Sequence, residues 1–164
     1  MQKITPFIWY DDNAEEAVKL YLSVFKKGKI LRTAHYAEGT MGKAGSLMSI
    51  EFELFDQRYT AINGGPMFTP NEAISFVVHC ASQREVDNYW KKLTANGGAE
   101  SRCGWLKDKF GVSWQIVPEV LLDLLSSKDT AKAARVMQAM LQMAKIDIAA
   151  LKKAAVAPKA KRGK

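Results

Sequence analysis

Histidine, cysteine and long apolar runs are scarce in this chain, and each scarcity closes off a class of function. His35 and His79 are the only histidines, and the sequence contains no HExxH, no Cys-x-x-Cys pair and no phosphate-binding loop. Cys80 and Cys103 stand alone without framework spacing, which points to free thiols in a reducing compartment rather than a disulfide scaffold. No apolar run approaches the roughly 18–20 residues needed to span a bilayer. The opening MQKITPFIWYDDN lacks both an apolar leader core and a small-residue cleavage site, so a cytoplasmic location is expected.

Charge is present but unevenly spread. The net charge is +7, and Lys159, Lys161, Arg162 and Lys164 crowd the last few residues. Without them the body is only mildly basic, so nucleic-acid binding is expected to go no further than weak contact by the tail. At 164 residues and 48% hydrophobic, the chain has material for one domain or two small packed modules.

The chain then reads twice through one pattern. Residues 4–10 (ITPFIWY) predict a strand, and Asp11-Asp12-Asn13 a turn with Asn13 and Glu16 in capping-box spacing. A helix over 14–25 carries Ala17, Leu20, Tyr21, Val24 and Phe25 on one stripe and stops at Gly28. Strands follow over 29–36, 46–54 and 58–63, the second alternating Met48, Ile50, Phe52 and Leu54 with Leu47, Ser49, Glu51 and Glu53. The pattern restarts with a strand over 73–81, Ser82 as N-cap and a helix over 83–96. Setting Phe7 over Phe76 also sets Asn13 over Ser82 and Tyr21 over Trp90, a constant offset of 69 residues. A repeat of this kind marks a duplicated supersecondary unit.

The stretch 103–118, CGWLKDKFGVSWQIVP, closes the second unit as a hairpin: strand 104–107, polar turn 108–111, strand 112–117. Trp114 and Ile116 share one face with Val112, and Ser113 and Gln115 share the other with Val117. Lys107 and Asp108 read as turn charges. Short helices are expected over 119–127 and 128–143, the latter with Ala133, Met137, Met140, Leu141 and Ala144 on its apolar side, and Ile148 and Leu151 resume the packing after a break at Asp147. The expected organisation is α+β: modules over 1–66 and 67–118, helices over 119–155, and a basic disordered tail over 156–164.

Paired βαβββ units are the signature of the vicinal oxygen chelate superfamily of glyoxalases, extradiol dioxygenases and antibiotic-resistance proteins. The segments ITPFIWYDDNAEEAVKLYLSVF, AINGGP, NEAISFVVHC, CGWLKDKFGVSWQIVP and RVMQAMLQMAKIDIAALKKA resemble the PhnB-like family, often labelled 3-demethylubiquinone-9 3-methyltransferase. The resemblance implies the repeat fold, a homodimer and a cup-shaped cavity on each sheet. It also implies that metal-dependent relatives draw ligands from the first and last strands of each module. Those positions fall here on Pro6, Ser75, Gln115 and about Asn63, a set without carboxylate or imidazole, so no metal and no other cofactor is expected. Methyl transfer is disfavoured as well, because the first strand runs into DDNAEEA without the glycine-rich turn that a nucleotide-type cofactor uses.

Strand parity places Phe7, Trp9, Phe76, Val78, Trp114 and Ile116 beneath the helices. The opposite parity sends Pro6, Ile8, Tyr10, Val77 and a polar set into the cup. That set comprises Ser49, Asn63, Ser75, His79, Ser113 and Gln115 as ligand-binding candidates, with Trp105 as a stacking surface. Glu51, in a cup of mixed character, is the candidate catalytic acid or base. Two functions are expected from this set. The first is binding of a small organic ligand without a divalent metal; the alternative is an enzyme of lyase, isomerase or oxygenase type on a small organic substrate.

Overall fold

The computed structural model describes residues 2–156, so the expectation for the tail over 157–164 lies outside the described residues. Among the described residues, eight strands and five α-helices follow one another as β1 (Phe7–Tyr10), α1 (Ala14–Phe25), β2 (Gly28–His35), β3 (Leu47–Leu54), β4 (Gln57–Asn63), β5 (Ser75–Cys80), α2 (Gln83–Leu93), β6 (Ala99–Glu100), β7 (Trp105–Lys107), β8 (Ser113–Pro118), α3 (Glu119–Leu125), α4 (Thr130–Met140) and α5 (Ile148–Ala155). They form two four-stranded mixed sheets, ordered β1-β4-β3-β2 and β5-β8-β7-β6. Each begins with a parallel pair, β1 with β4 and β5 with β8, and continues antiparallel. The described residues form two compact units: one is the chain up to Ile74 with Phe110–Val112, the other Ser75–Lys109 with the described residues from Ser113 onward.

In the first unit α1 buries Ala17, Val18, Tyr21, Val24 and Phe25 against Ile50, Phe52, Leu54 and Ala61 of the sheet. Pairing of Ile8 with Ala61 and of Ile50 with Ala61 puts the odd–even choice of β1 in plain view. Tyr10, only 2% exposed, shares the helix side, and its hydroxyl meets that of Tyr21 at 2.9 Å. Phe7, which pairs with Thr60 and is 61% exposed, and Trp9 lie on the other side. This reverses the expected parity of the first strand: Ile8 and Tyr10 face the helix, and Phe7 and Trp9 the open side.

The cause is one residue. Asp11, Asp12 and Asn13 separate β1 from α1, whereas only Ala81 and Ser82 separate β5 from α2. The constant offset therefore matches the helices but slips by one in the first strands, and a one-residue slip exchanges the two faces of a strand. The same turn corrects the cap. Asn13 makes no side-chain cap bond, and the Ala14 amide instead donates to Asn63 Oδ1 at 2.8 Å. Ser82 behaves as expected, accepting from the Glu85 amide at 3.3 Å. The first helix ends one turn before Gly28, with Lys26 in the left-handed conformation at φ 53°. Gly28 is needed for proximity, since a Cβ there would lie 2.5 Å from the Glu53 carbonyl oxygen.

In the second unit Trp114, Ile116, Leu106 and Cys80 pack with Val86, Trp90 and Leu93 of α2, the parity expected for this half. The C-terminal helices add a separate core of Leu121, Val136, Ile146 and Leu151, into which β8 contributes Val117. Val136 is fully buried, whereas Met137 and Leu141 are exposed, so the apolar side of α4 is rotated from the stripe expected. Gln83 anchors this extension by donating to the Ile146 carbonyl at 3.1 Å and accepting from the Ile148 amide at 2.9 Å. The amides of Cys103 and Gly104 donate to the Met143 and Ala144 carbonyls, both at 2.7 Å.

Candidate functional site

Each sheet has one side covered by its helix. The opposite side, termed the open side, carries the exposed Phe7 in the first sheet, and the exposed Val77 beside the buried Ser113 and Val117 in the second. The candidate residues divide between the two sheets. In the first, β3 alternation and the pairing of Glu51 with Thr60 put Ser49 and Glu51 on the open side with Phe7, Trp9 and Ile62. Glu51 does not stand among neutral donors as expected. Arg32, its partner on β2, forms an ion pair with it, and that hydrogen bond, then the charge itself, raises the guanidinium's pKa further. Trp9 is held by an indole N–H donated to the Gly65 carbonyl at 2.8 Å and by an edge contact with Phe68.

Asn63 is not on this open side. It pairs with Tyr10 on the helix side, caps α1 through Oδ1, and donates Nδ2 to the Leu47 carbonyl at 3.1 Å. Its own carbonyl accepts from the Tyr36 hydroxyl at 2.5 Å. Its amide is committed to holding the end of the sheet. Asn63 also forms part of the wall of a cavity of about 430 Å³, with Tyr36, Leu47 and the carboxylates of Asp11, Asp12 and Glu15. The pattern reading missed this cavity because the 37–45 loop that forms part of it has no periodicity to read.

In the second sheet the register gathers the remaining candidates. Ser75 pairs with Ser113, and Ser113 with Lys107; Val77 pairs with Gln115, and Gln115 with Trp105. Two rows thus cross the open side, Ser75–Ser113–Lys107 and Val77–Gln115–Trp105. Gln115 Nε2 donates to Ser75 Oγ at 2.8 Å. Ser113 is 2% exposed, and its hydroxyl is the buried side-chain oxygen that lacks a partner among the described residues. His79 is exposed at the end of this side, opposite Val117, which the C-terminal helices cover.

Lys107, expected at the end of the strand over 104–107 with its charge at the turn, is the last residue of β7 and lies in register with Ser113. The turn begins at Asp108, as expected. That carboxylate is 3% exposed and accepts from Trp114 Nε1 at 2.9 Å. The hidden signal was the indole: a Trp on the covered face needs an acceptor, and Asp108 is the nearest one along the hairpin.

Neither set of carried-over ligand positions suits a divalent cation. Pro6 has no donor atom, Asn63 Oδ1 is occupied by the Ala14 amide, and Ser75 and Gln115 are neutral and bonded to each other. Among the described residues no three His, Cys, Asp or Glu side chains gather into a metal-binding group. The strand-to-helix turn Asp11-Asp12-Asn13 likewise brings carboxylates where an anionic cofactor would need backbone amides opened by glycine.

Comparison with known proteins agrees with this architecture. Residues 2–117 match the family described as 3-demethylubiquinone-9 3-methyltransferase, a span that stops short of α3, α4 and α5. The PhnB protein from Bacillus cereus is 34% identical, with a TM-score of 0.65 over 71% of this chain and 99% of that one. Protein PA1353 from Pseudomonas aeruginosa superposes with a TM-score of 0.60 at 17% identity, over 73% of this chain and 98% of its own. The fosfomycin resistance protein FosX from Listeria monocytogenes, solved with Mn(II) and sulfate, shares the fold with a TM-score of 0.52 at 13% identity, over 70% and 90% of the two chains. No curated protein matches. The chain belongs to the 3-demethylubiquinone-9 3-methyltransferase, or PhnB-like, family, and its paired βαβββ fold is that of the vicinal oxygen chelate superfamily.

Proposed function

We propose that this PhnB-like protein binds a small organic ligand on the open side of its second sheet, through hydrogen bonds and stacking and without a divalent metal. The observation that carries the reading is Ser113. A buried hydroxyl left without a partner costs about 1–3 kcal/mol, and a polar atom of a ligand is one way to recover it. Around it stand the Gln115–Ser75 hydrogen bond, the half-exposed Val77 and the face of Trp105, which together offer one polar row and one apolar row. On the first sheet, Ser49, Glu51 and Trp9 supply a second polar and aromatic surface of the same kind. Glu51 works there as a hydrogen-bond acceptor paired with Arg32, which argues against the free carboxylate that the enzyme alternative needs.

Homodimerisation belongs to the same proposal. Met137, Leu141 and Leu122 leave apolar surface exposed on and beside the C-terminal helices, and among the described residues the edge strands β1, β2, β5 and β6 have one strand neighbour each.

The test is a fragment screen on the full chain, read by the indole N–H resonance of Trp105. Hits should shift that resonance, and Trp105→Ala should weaken them by ~1–3 kcal/mol through lost stacking. Hits that leave the Trp105 resonance unmoved while binding elsewhere would refute the placement.

A further inference from the structure

We propose that the groove between α4 and α5 docks an acidic amphipathic helix of another protein, a role for the C-terminal extension that stands apart from both sheets.

Four observations carry it. First, the extension lies beyond the span of the family match, which ends at Val117, and 71% of this chain already covers 99% of the Bacillus cereus protein. It has its own core around Val136, Ile146 and Leu151. Second, residues 119–164 hold ten Lys and Arg against four Asp and Glu, so six of the seven net positive charges of the chain lie there. Third, the groove suits a helix. It measures about 660 Å³, and Ala134 on α4 with Ala150 and Ala154 on α5 give it an apolar lining. Side chains this short let a third helix approach to the ~8–10 Å of packed helices. Arg135, Gln138 and Lys153 supply the polar lining, and no carboxylate among the described residues joins them. Arg135 is held there by Nε and Nη2, which donate to the Ala154 and Ala155 carbonyls at 3.1 Å each, leaving its other N–H groups for an incoming acid. Fourth, Val156, 70% exposed, also lines the groove, and Lys159, Lys161, Arg162 and Lys164 follow it in the sequence. At most ~3.6 Å per residue separates these cations along the chain, so all stay within ~30 Å of Val156.

Charge and lining together choose the occupant. The chain's own tail carries the same sign as Arg135 and Lys153, and a second copy set groove to groove would bring the same cations. Met137 and Leu141, assigned above to a second copy, do not line the groove. A nucleic acid would answer the charge but leave the alanines without apolar contact. A helix with an apolar stripe between carboxylates satisfies both parts of the groove.

The experiment titrates the full chain into fluorescein-labelled synthetic helices and reads anisotropy together with the Ala134 and Ala154 amide resonances. One peptide carries a leucine stripe flanked by glutamates, a second has every Glu replaced by Gln, and a third keeps the glutamates but scatters the leucines off the stripe. Labelled oligothymidine is the nucleic-acid probe. The glutamate-flanked peptide should bind roughly tenfold more tightly than each other probe, weaken with added salt and shift both resonances. Lys153→Glu and the groove-filling Ala134→Trp, both at exposed positions, should each weaken it roughly tenfold with the thermal midpoint unchanged. Replacing Lys159, Lys161, Arg162 and Lys164 together by Gln should cost only a few-fold. Equal binding of the Glu and Gln peptides would overturn the charge assignment, and equal binding of the striped and scattered peptides would overturn the helix. Oligothymidine binding most tightly would give the surface to nucleic acid instead. Affinity lost in the tail variant but kept in Ala134→Trp, or no peptide moving the two resonances, would overturn the groove.

Discussion

A serine hydroxyl has one hydrogen to give and two lone pairs to fill, and Ser113 does neither although it is 2% exposed. Its cost falls on the free protein and its benefit on the complex, so Ser113→Ala should move the two in opposite directions. In the free chain the substitution should leave stability unchanged or raise it by ~1 kcal/mol, about 2–4 °C in midpoint for a protein of this size. Ligand affinity should fall. Differential scanning calorimetry with and without ligand checks both signs, and a lower midpoint in the free chain would show that the hydroxyl is already satisfied. The two free cysteines make a second contrast at this scale. Burial first, then the nearby Glu85 and Glu119 carboxylates, push the Cys80 thiol up to about 12, and the residue is 1% exposed. Native protein treated with iodoacetamide at pH 8 should therefore be alkylated at Cys103 and spared at Cys80, as peptide mass spectrometry will show. Labelling of both at similar rates would contradict the packing of β5 against α2.

Among the elements, the repeated βαβββ order, the helix stripes and the Ser82 cap were legible in the pattern of residues, because periodicity and capping chemistry are local. The face of β1 was not. The offset that aligns Asn13 with Ser82 and Tyr21 with Trp90 carries no information about an extra residue between strand and helix, and that residue decided whether Tyr10 or Trp9 lies beneath α1. Asn63 was misplaced with it, since its partner across the ladder is Tyr10. The second sheet escaped the error: its reading started from the hairpin itself, and the faces of Ser75, Ser113 and Gln115 came out as expected. The C-terminal extension tests another local device. Gln83 bridges the Ile146 carbonyl and the Ile148 amide, and beside it Lys145 pairs with Asp87 at 2.5 Å. Gln83→Ala should cost about 1–3 kcal/mol and speed amide exchange in α5 before the sheets are affected. The Asp87 pair is exposed and should add no more than ~0.5 kcal/mol. The hydrogen bond from Lys145, then that from Gln83, lower the Asp87 pKa, so its contribution is present above the ordinary carboxylate range and vanishes as pH falls through it. Protection in α5 should weaken on acidification in the native chain and lose that dependence in Asp87→Asn.

For the whole molecule, the family follows from the matched span and the fold, while the ligand rests on the proposals above. No helix among the described residues is long and apolar enough to cross a membrane. Exposed Met137 of α4 and Leu141, the residue that caps its C-terminus, should be covered by a second copy, so multi-angle light scattering at tens of micromolar should give twice the 18.3 kDa chain mass. Met137→Lys with Leu141→Lys should shift that mass toward the monomer, and a monomer in the unmodified chain would remove the dimer from the proposal. The central claim is that the open side of the second sheet holds a small organic molecule. Native mass spectrometry of the gently purified full chain, beside its Ser113→Ala and Trp105→Ala variants, tests it most directly. A discrete small-molecule adduct on the unmodified chain that is depleted in both variants is the expected result. An adduct retained equally by all three, or found on none of them, would contradict it.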